Sequence, residues 1–206
     1  MWLQKQYNRL FVEEKEFSGR IVLWLVCLAL LTACFLQVDI DELYYRSLPV
    51  APAPKPPSDP KERALLNRLQ HQQEQYFKMV KNPLLSRQAQ ALGEEIYTKA
   101  RNNCSFLNEF AWRIMAERGT RYRDLKLAQR AAQTALELSR GKSIWVTTTY
   151  ARALFENGNI EEAIDYQEQA LAAAENNQVR GECEATLNKY KRTLRERKTL
   201  RFDISE

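Results

Sequence analysis

Few side chains in this sequence have the chemistry of a catalytic or metal site. The chain of 206 residues contains one histidine, His71, and four cysteines. A multi-histidine zinc site is therefore excluded, and a Ser-His-Asp triad would have to be built on that one histidine. CxxC, CxxCH, P-loop and GxGxxG motifs are all missing from the sequence, so redox, haem and nucleotide chemistry have no signature. We expect no enzymatic activity, no cofactor and no metal.

The four cysteines are the remaining reactive side chains. Cys27 and Cys34 lie seven residues apart in a strongly apolar stretch, where thiols behave as small hydrophobic groups. Cys104 and Cys183 fall in helical segments that the expected fold separates by two hairpins. A disulfide needs Cα atoms within about 7 Å, so we expect free thiols. A thiol-dependent redox protein using Cys104 or Cys183 is the alternative hypothesis.

Residues 21–38 have the length and composition of a membrane span. They read IVLWLVCLALLTACFLQV, with no charged side chain and with only Thr32 and Gln37 clearly polar. As a helix they would measure roughly 27 Å, close to the ~30 Å hydrocarbon core of a bilayer, and would satisfy their own backbone hydrogen bonds. The sequence therefore predicts a single-pass transmembrane helix.

The flanking charges predict the orientation of this span. Residues 1–20 contain four Lys or Arg, whereas only Arg46 and Lys55 follow the span within about 20 residues. We expect a cytoplasmic amino-terminal segment and, in a bacterium, an inner-membrane protein with a periplasmic carboxy-terminal domain. Apolar side chains at helical spacing in residues 1–20 also predict an amphipathic, interfacial helix there.

The tetrapeptide Leu31-Thr32-Ala33-Cys34 supports a second hypothesis. It has the small-residue pattern of a bacterial lipoprotein cleavage site, which would make the protein a lipoprotein adaptor cleaved before Cys34. Against cleavage, Phe35, Leu36 and Val38 continue the apolar run. Three glutamates in the leader are also unusual for a short basic signal region.

A linker at residues 39–60 separates this segment from a helical domain. Six prolines between Leu48 and Pro60 favour extended polyproline conformations that reach on the order of 40 Å. Beyond them every segment has helical periodicity and none alternates like a strand, which predicts an all-α domain. The predicted helices cover residues 60–81, 84–102, 105–118, 124–139, 144–157, 160–175 and 178–199.

Two helical hairpins of this domain repeat each other. Helix 124–139 aligns with helix 160–175 at an offset of 35 residues, and the helices before them align as well. Small residues at the aligned positions let helices cross closely, and larger ones fill the space between hairpins. The aligned pairs are Ala128 and Ala163, Ala135 and Ala170, Leu136 and Leu171, Phe110 and Tyr150, Ala111 and Ala151, and Ile114 and Leu154.

At these residues the chain resembles the tetratricopeptide repeat family, over residues 104–175. The second unit matches the family better, because the first has a turn longer by about five residues, and Glu175 stands where the family has a proline. The resemblance implies an α-solenoid of antiparallel hairpins. Residues 61–103 would form a degenerate hairpin without the small-residue pattern, and residues 176–206 a basic capping helix and tail. The residues that carry the match are Tyr150, Ala151, Leu154, Gly158, Ala163, Tyr166 and Ala170.

The resemblance also implies a binding module. Stacked hairpins of this family form a concave surface lined by the first helix of each pair, which binds peptides or partner proteins. We therefore expect a scaffold or accessory subunit that binds other membrane-complex subunits or a peptide in this groove. For the two tryptophans, packing between helices is an equal alternative. The groove residues that the resemblance implies are Asn108, Trp112, Met115, Trp145, Thr148, Arg152 and Phe155.

Positive charge concentrates in the last predicted helix. Seven Lys or Arg lie between residues 189 and 201, within a chain of formal charge +5. Such a run can bind nucleic acid, but an extracytoplasmic domain would meet none. We expect a solvated cap or a surface for an acidic partner, with anionic lipid as a further possibility.

Overall fold

The structure is a computed structural model, and it describes residues 59–117, 119–120 and 122–203, with side chains up to residue 199. These residues are all-α, as predicted, and contain no strand. The predicted segments 1–20 and 21–38 and the linker up to residue 58 lie outside the described residues. The helices are α1 (Pro60–Met79), α2 (Ser86–Lys99), α3 (Cys104–Ala116), α4 (Leu125–Ser139), α5 (Ile144–Glu156), α6 (Ile160–Ala172) and α7 (Asn177–Asp203).

All seven predicted helices are present, and they differ from the prediction mainly at their ends. The break at Asn82-Pro83 is longer than expected, because Pro83–Leu85 forms a 3-10 turn between α1 and α2. The Asn82 side chain accepts a hydrogen bond from the backbone N–H of Leu84 and caps this turn. At the other end of the domain, α7 continues to Asp203 rather than ending near residue 199.

Side-chain caps and left-handed residues set the helix ends. Asp59, Asn103 and Asp124 each accept a hydrogen bond from a backbone N–H in the first turn of the helix that follows. The turn between α5 and α6 needs Gly158, whose φ of 91° is strained for any residue with a Cβ. Short connections of this kind bring successive helices back alongside each other.

Contacts between successive helices show that they run antiparallel. The Gln72 amide of α1 donates to Glu95 of α2, and the thiol of Cys104 at the start of α3 donates to the carbonyl of Ala135 near the end of α4. Asn157, just after α5, likewise donates to the carbonyl of Leu125 at the start of α4. The domain is thus a series of antiparallel hairpins.

Contacts between alternate helices show that they run parallel and form two rows. α3 packs against α5, and α2 packs against α4. Side-chain contacts add α1 and α7 to the row of α3 and α5. The partners across these interfaces lie 35 to 39 residues apart in the chain, so one hairpin stacks on the next with a nearly constant repeat. The contacts are Glu74 with Arg113, Met115 with Arg152, Phe155 with Tyr190, and Tyr97 with Thr134.

The core follows the repeat found in the sequence. Ala128, Ala135, Ala163 and Ala170 are each 0–1% exposed, so the small residues lie at helix crossings as expected. The same offset of 35 residues extends to α2, where buried Gly93 aligns with Ala128, and Ala100 aligns with Ala135. The hairpin of α1 and α2 therefore carries the small residues that the sequence analysis did not find there.

Candidate functional site

The seven groove residues expected from the resemblance all lie in the row of α1, α3, α5 and α7, on α3 and α5. Their burial differs. Trp112, Trp145, Thr148 and Phe155 are half-buried, whereas Asn108, Met115 and Arg152 are buried, with 7%, 1% and 5% of their surface exposed. The half-buried residues are the part of the set that offers surface to a partner.

Arg152 connects the two helices. Its guanidinium donates to the carbonyl oxygen of Met115 at 3.4 Å and lies 5.9 Å from the ring centroid of Trp112. The Glu156 carboxylate is 3.8 Å from its Nε. A cation near the carboxy end of α3 is favourable there, because the last carbonyls of a helix carry partial negative charge. Arg152 thus ties α5 to the end of α3 and holds its charge beside Trp112.

Phe155 contacts α7. Its ring stacks on Tyr190 with centroids 4.3 Å apart and an interplanar angle of 16°. Tyr190 and Glu156 lie outside the set that the resemblance implies. The apolar spacing of Cys183, Leu187 and Tyr190 in α7 is the signal that predicts a buried stripe on that helix. We define the α3–α5–α7 face as the surface of α3 and α5 at Trp112, Trp145, Thr148, Arg152 and Phe155. The name includes α7 because that helix covers part of this surface at Phe155.

Two polar members of the predicted set differ in their hydrogen bonding. The Thr148 hydroxyl donates to the carbonyl of Trp145 at 3.0 Å, within its own helix. The side-chain oxygen of Asn108 is buried and has no hydrogen-bond partner among the described residues. Met115 belongs to the hydrophobic core, so it supports the face from below.

The two thiols of the described region are free, and both have a raised pKa. Burial raises the pKa of the Cys104 thiol, and burial, with a smaller effect of Glu182, raises that of Cys183. The thiolate is the nucleophile, so a raised pKa reduces its population at neutral pH. In the part of the chain with described side chains, no group of three His, Cys, Asp or Glu residues could hold a metal ion.

The basic run of α7 faces an acidic row on α6. Lys191 pairs with Glu168 at 2.6 Å, and Lys198 pairs with Glu161 at 3.0 Å. Both pairs join α7 to α6.

A shallow cleft of about 570 Å³ is lined by side chains of α1 and α2. Leu65 in its lining is 44% exposed. The side chains around the cleft are apolar or hydrogen-bond donors, and none is a carboxylate. They are Leu65, Asn67, Arg68, His71, Gln72 and Lys99.

No family model matches the chain, and no curated protein or solved structure matches it. Among the described residues, no helix has both the length and the apolar character that crossing a bilayer requires.

Proposed function

We propose that this chain is a membrane-anchored scaffold or accessory subunit of a larger membrane complex, and that it binds its partner through a tetratricopeptide-like α-solenoid. The proposal combines two supports. One is the repeated packing of the described domain, and the other is the apolar stretch at residues 21–38 of the sequence.

The observation that carries the proposal is the equal burial of repeat-related residues. Phe110 and Tyr150 are 0% and 6% exposed, and Ile114 and Leu154 are 2% and 0% exposed. These core positions are buried in both segments, which supports two related units of one stack. In such arrays, each unit mainly contacts its neighbours and leaves an extended surface for binding.

The α3–α5–α7 face is the proposed partner-binding surface. Trp112, Trp145 and Phe155 offer half-buried aromatic area beside the charge of Arg152. Tryptophan is among the side chains that most often dominate binding energy. The partner proposed for this face is another subunit of the membrane complex or a peptide of it.

The membrane part of the proposal is supported by the sequence alone. The length of residues 21–38 matches a bilayer, and the four basic residues before them favour a cytoplasmic amino terminus. The domain would then stand on the far side of the membrane, spaced from it by the proline-rich linker.

The experiment is purification of the full chain from membranes in mild detergent, with its companions identified after crosslinking. We expect a stoichiometric membrane protein that is lost in the double variant Trp112→Gln/Trp145→Gln. The control is Leu84→Gln, because Leu84 is 87% exposed on the turn between α1 and α2, outside the proposed face. Circular dichroism and Tm of both variants separate loss of binding from loss of fold. Recovery of the monomer alone, or a companion kept by the tryptophan variant, would refute the proposal.

The lipoprotein hypothesis keeps the same binding domain and changes only its anchor. It is favoured by the Leu31-Thr32-Ala33-Cys34 sequence. Intact mass distinguishes the two anchors, since cleavage before Cys34 removes the mass of the leader and acylation adds that of the lipid chains. An unchanged mass of 24.1 kDa supports the uncleaved span.

A further inference from the structure

The two halves of α7 are held to the domain in different ways. In the first half, Cys183, Thr186, Leu187 and Tyr190 are 0–7% exposed and pack into the core region. From Arg195 to Thr199 every side chain is exposed. Apolar burial therefore ends near the half-buried Leu194, in the middle of the helix.

Beyond Tyr190, charged contacts join α7 to α6. Lys191 and Lys198 place their ammonium groups 2.6 and 3.0 Å from the carboxylates of Glu168 and Glu161. These two pairs lie on either side of Leu194, and their carboxylates lie about two turns apart in the first two thirds of α6. The four side chains are 44–73% exposed, so water and salt screen the attraction.

Beyond these two pairs, α6 and the end of α7 carry opposite net charge. The α6 row has four carboxylates and no basic side chain, and residues 191–199 of α7 have five cations and one carboxylate. Long-range attraction therefore adds to the two direct pairs and shares their sensitivity to salt. The α6 carboxylates are Glu161, Glu162, Asp165 and Glu168, and the α7 cations are Lys191, Arg192, Arg195, Arg197 and Lys198.

We propose that residues 191–199 form an electrostatic strap that opens from α6 while the rest of the domain stays folded. Once detached, this end of α7 loses its contacts with α6 and frays more readily, because most of the stability of a helix in a protein comes from tertiary packing. Opening would free the five cations and uncover the carboxylates of α6. Dissolved ions or a charged surface that competes for either row would trigger it.

Hydrogen exchange followed by mass spectrometry tests the strap on the full chain in mild detergent. Between low and high salt, we expect the amides of residues 192–199 to exchange about two- to tenfold faster, as the loss of weak surface pairs implies. Amides of residues 183–190 and of α5 should keep their rates. The double variant Glu161→Gln/Glu168→Gln should show fast exchange in the strap already at low salt.

The control variant is Arg192→Gln, which removes a pair with Glu196 that is internal to α7. It changes the charge of the strap by one unit and leaves both contacts to α6 in place, so it should preserve most of the salt response. The proposal is overturned if strap amides exchange at the same rate in all conditions. It is also overturned if salt speeds exchange equally throughout the domain, because opening would then be global. The salt series on the unaltered chain tests strap opening even if a variant fails to fold.

Discussion

Gly93 shows how one missing methyl group sets the distance between helices. A Cβ at this position of α2 would lie 2.7 Å from a methyl carbon of Leu127 and 3.0 Å from the ring of Tyr76. Both neighbours are at most 1% exposed, so they have little room to move. We expect Gly93→Ala to lower the free energy of unfolding by about 1–3 kcal/mol through overpacking, although alanine is the better helix former.

Gly181 provides the matched control for this prediction, because it lies in α7 and a Cβ there would meet no atom within 4 Å. Gly181→Ala should raise stability by about 0.5–1 kcal/mol, since alanine reduces the freedom of the unfolded chain. Chemical denaturation of both variants measures the difference. Equal stability of the two would show that α2 does not cross its neighbours at Gly93.

At the scale of single residues, the sequence predicts which positions lie at helix crossings better than it predicts how deeply each side chain is buried. The alignment of Ala128 with Ala163 identifies a helix crossing, because only a small residue fits there. It does not predict that Met115 is buried while Trp112 is half-exposed. That difference depends on where α5 and its Arg152 lie against the end of α3, and this contact joins residues 37 positions apart.

At the scale of the elements, Arg113 links α1 to α3. Its guanidinium donates to Glu74 at 2.6 Å, lies 4.2 Å from the ring centroid of Phe77, and has Glu117 at 3.6 Å. The hydrogen bond from Arg113 is the main cause that holds the pKa of the Glu74 carboxyl below its usual range, with a smaller effect of positive charge nearby. This contact is the clearest charged tie between the first two hairpins.

The lowered pKa of Glu74 fixes the sign of a pH effect. A carboxyl with a lower pKa in the folded state stabilises the fold above its unfolded pKa of about 4.3, and this contribution disappears as pH falls through the folded value. Unaltered protein should exceed Glu74→Gln in stability at pH 7 by at most about 1 kcal/mol, because the pair is solvent-exposed. The gap should close towards pH 3.

Urea denaturation at several pH values measures this gap, with Glu109→Gln on the exposed side of α3 as the control. A gap that stays constant between pH 7 and pH 3 would contradict the role of the Glu74 carboxylate.

Helix number and type could be predicted from periodicity, because each helix has an apolar stripe and four of the six connections contain Gly or Pro. The ends were less predictable. Asn82 and Pro83 indicate a break, but the 3-10 turn depends on the hydrogen bond of Asn82 with Leu84. The continuation of α7 to Asp203 has no stop signal in the sequence, since the residues after 190 contain no Gly or Pro.

At the scale of the whole domain, the sequence repeat predicts the hairpins. It does not predict which side chains of one hairpin contact the next. The resemblance implies that Phe155 lies in an open groove, yet Tyr190 stacks on it from α7. A capping helix is expected from composition, but the side on which it docks depends on the shape left by the preceding hairpins. The surface available for a partner therefore depends on where α7 docks as much as on the repeated hairpins.

Phe110 and Tyr150 occupy the same repeat position but make different contacts. Phe110 on α3 is fully buried and meets Tyr76 and Phe77 of α1 at centroid distances of 5.3 and 6.2 Å. Tyr150 on α5 is 6% exposed, and its ring contacts Tyr166 within the same hairpin at 4.8 Å. Phe110 therefore joins two hairpins, whereas the ring contact of Tyr150 with Tyr166 lies within one hairpin.

Replacing each residue by leucine should separate these roles. Phe110→Leu should cost about 1–3 kcal/mol and speed hydrogen exchange chiefly in α1 and α2, because their hairpin loses its aromatic contact with the next one. Tyr150→Leu should cost less and act mainly on α5 and α6. Denaturation and hydrogen exchange of both variants measure the effect. If either substitution speeds exchange uniformly from α1 to α6, the domain unfolds as one cooperative unit rather than by coupling between neighbouring hairpins.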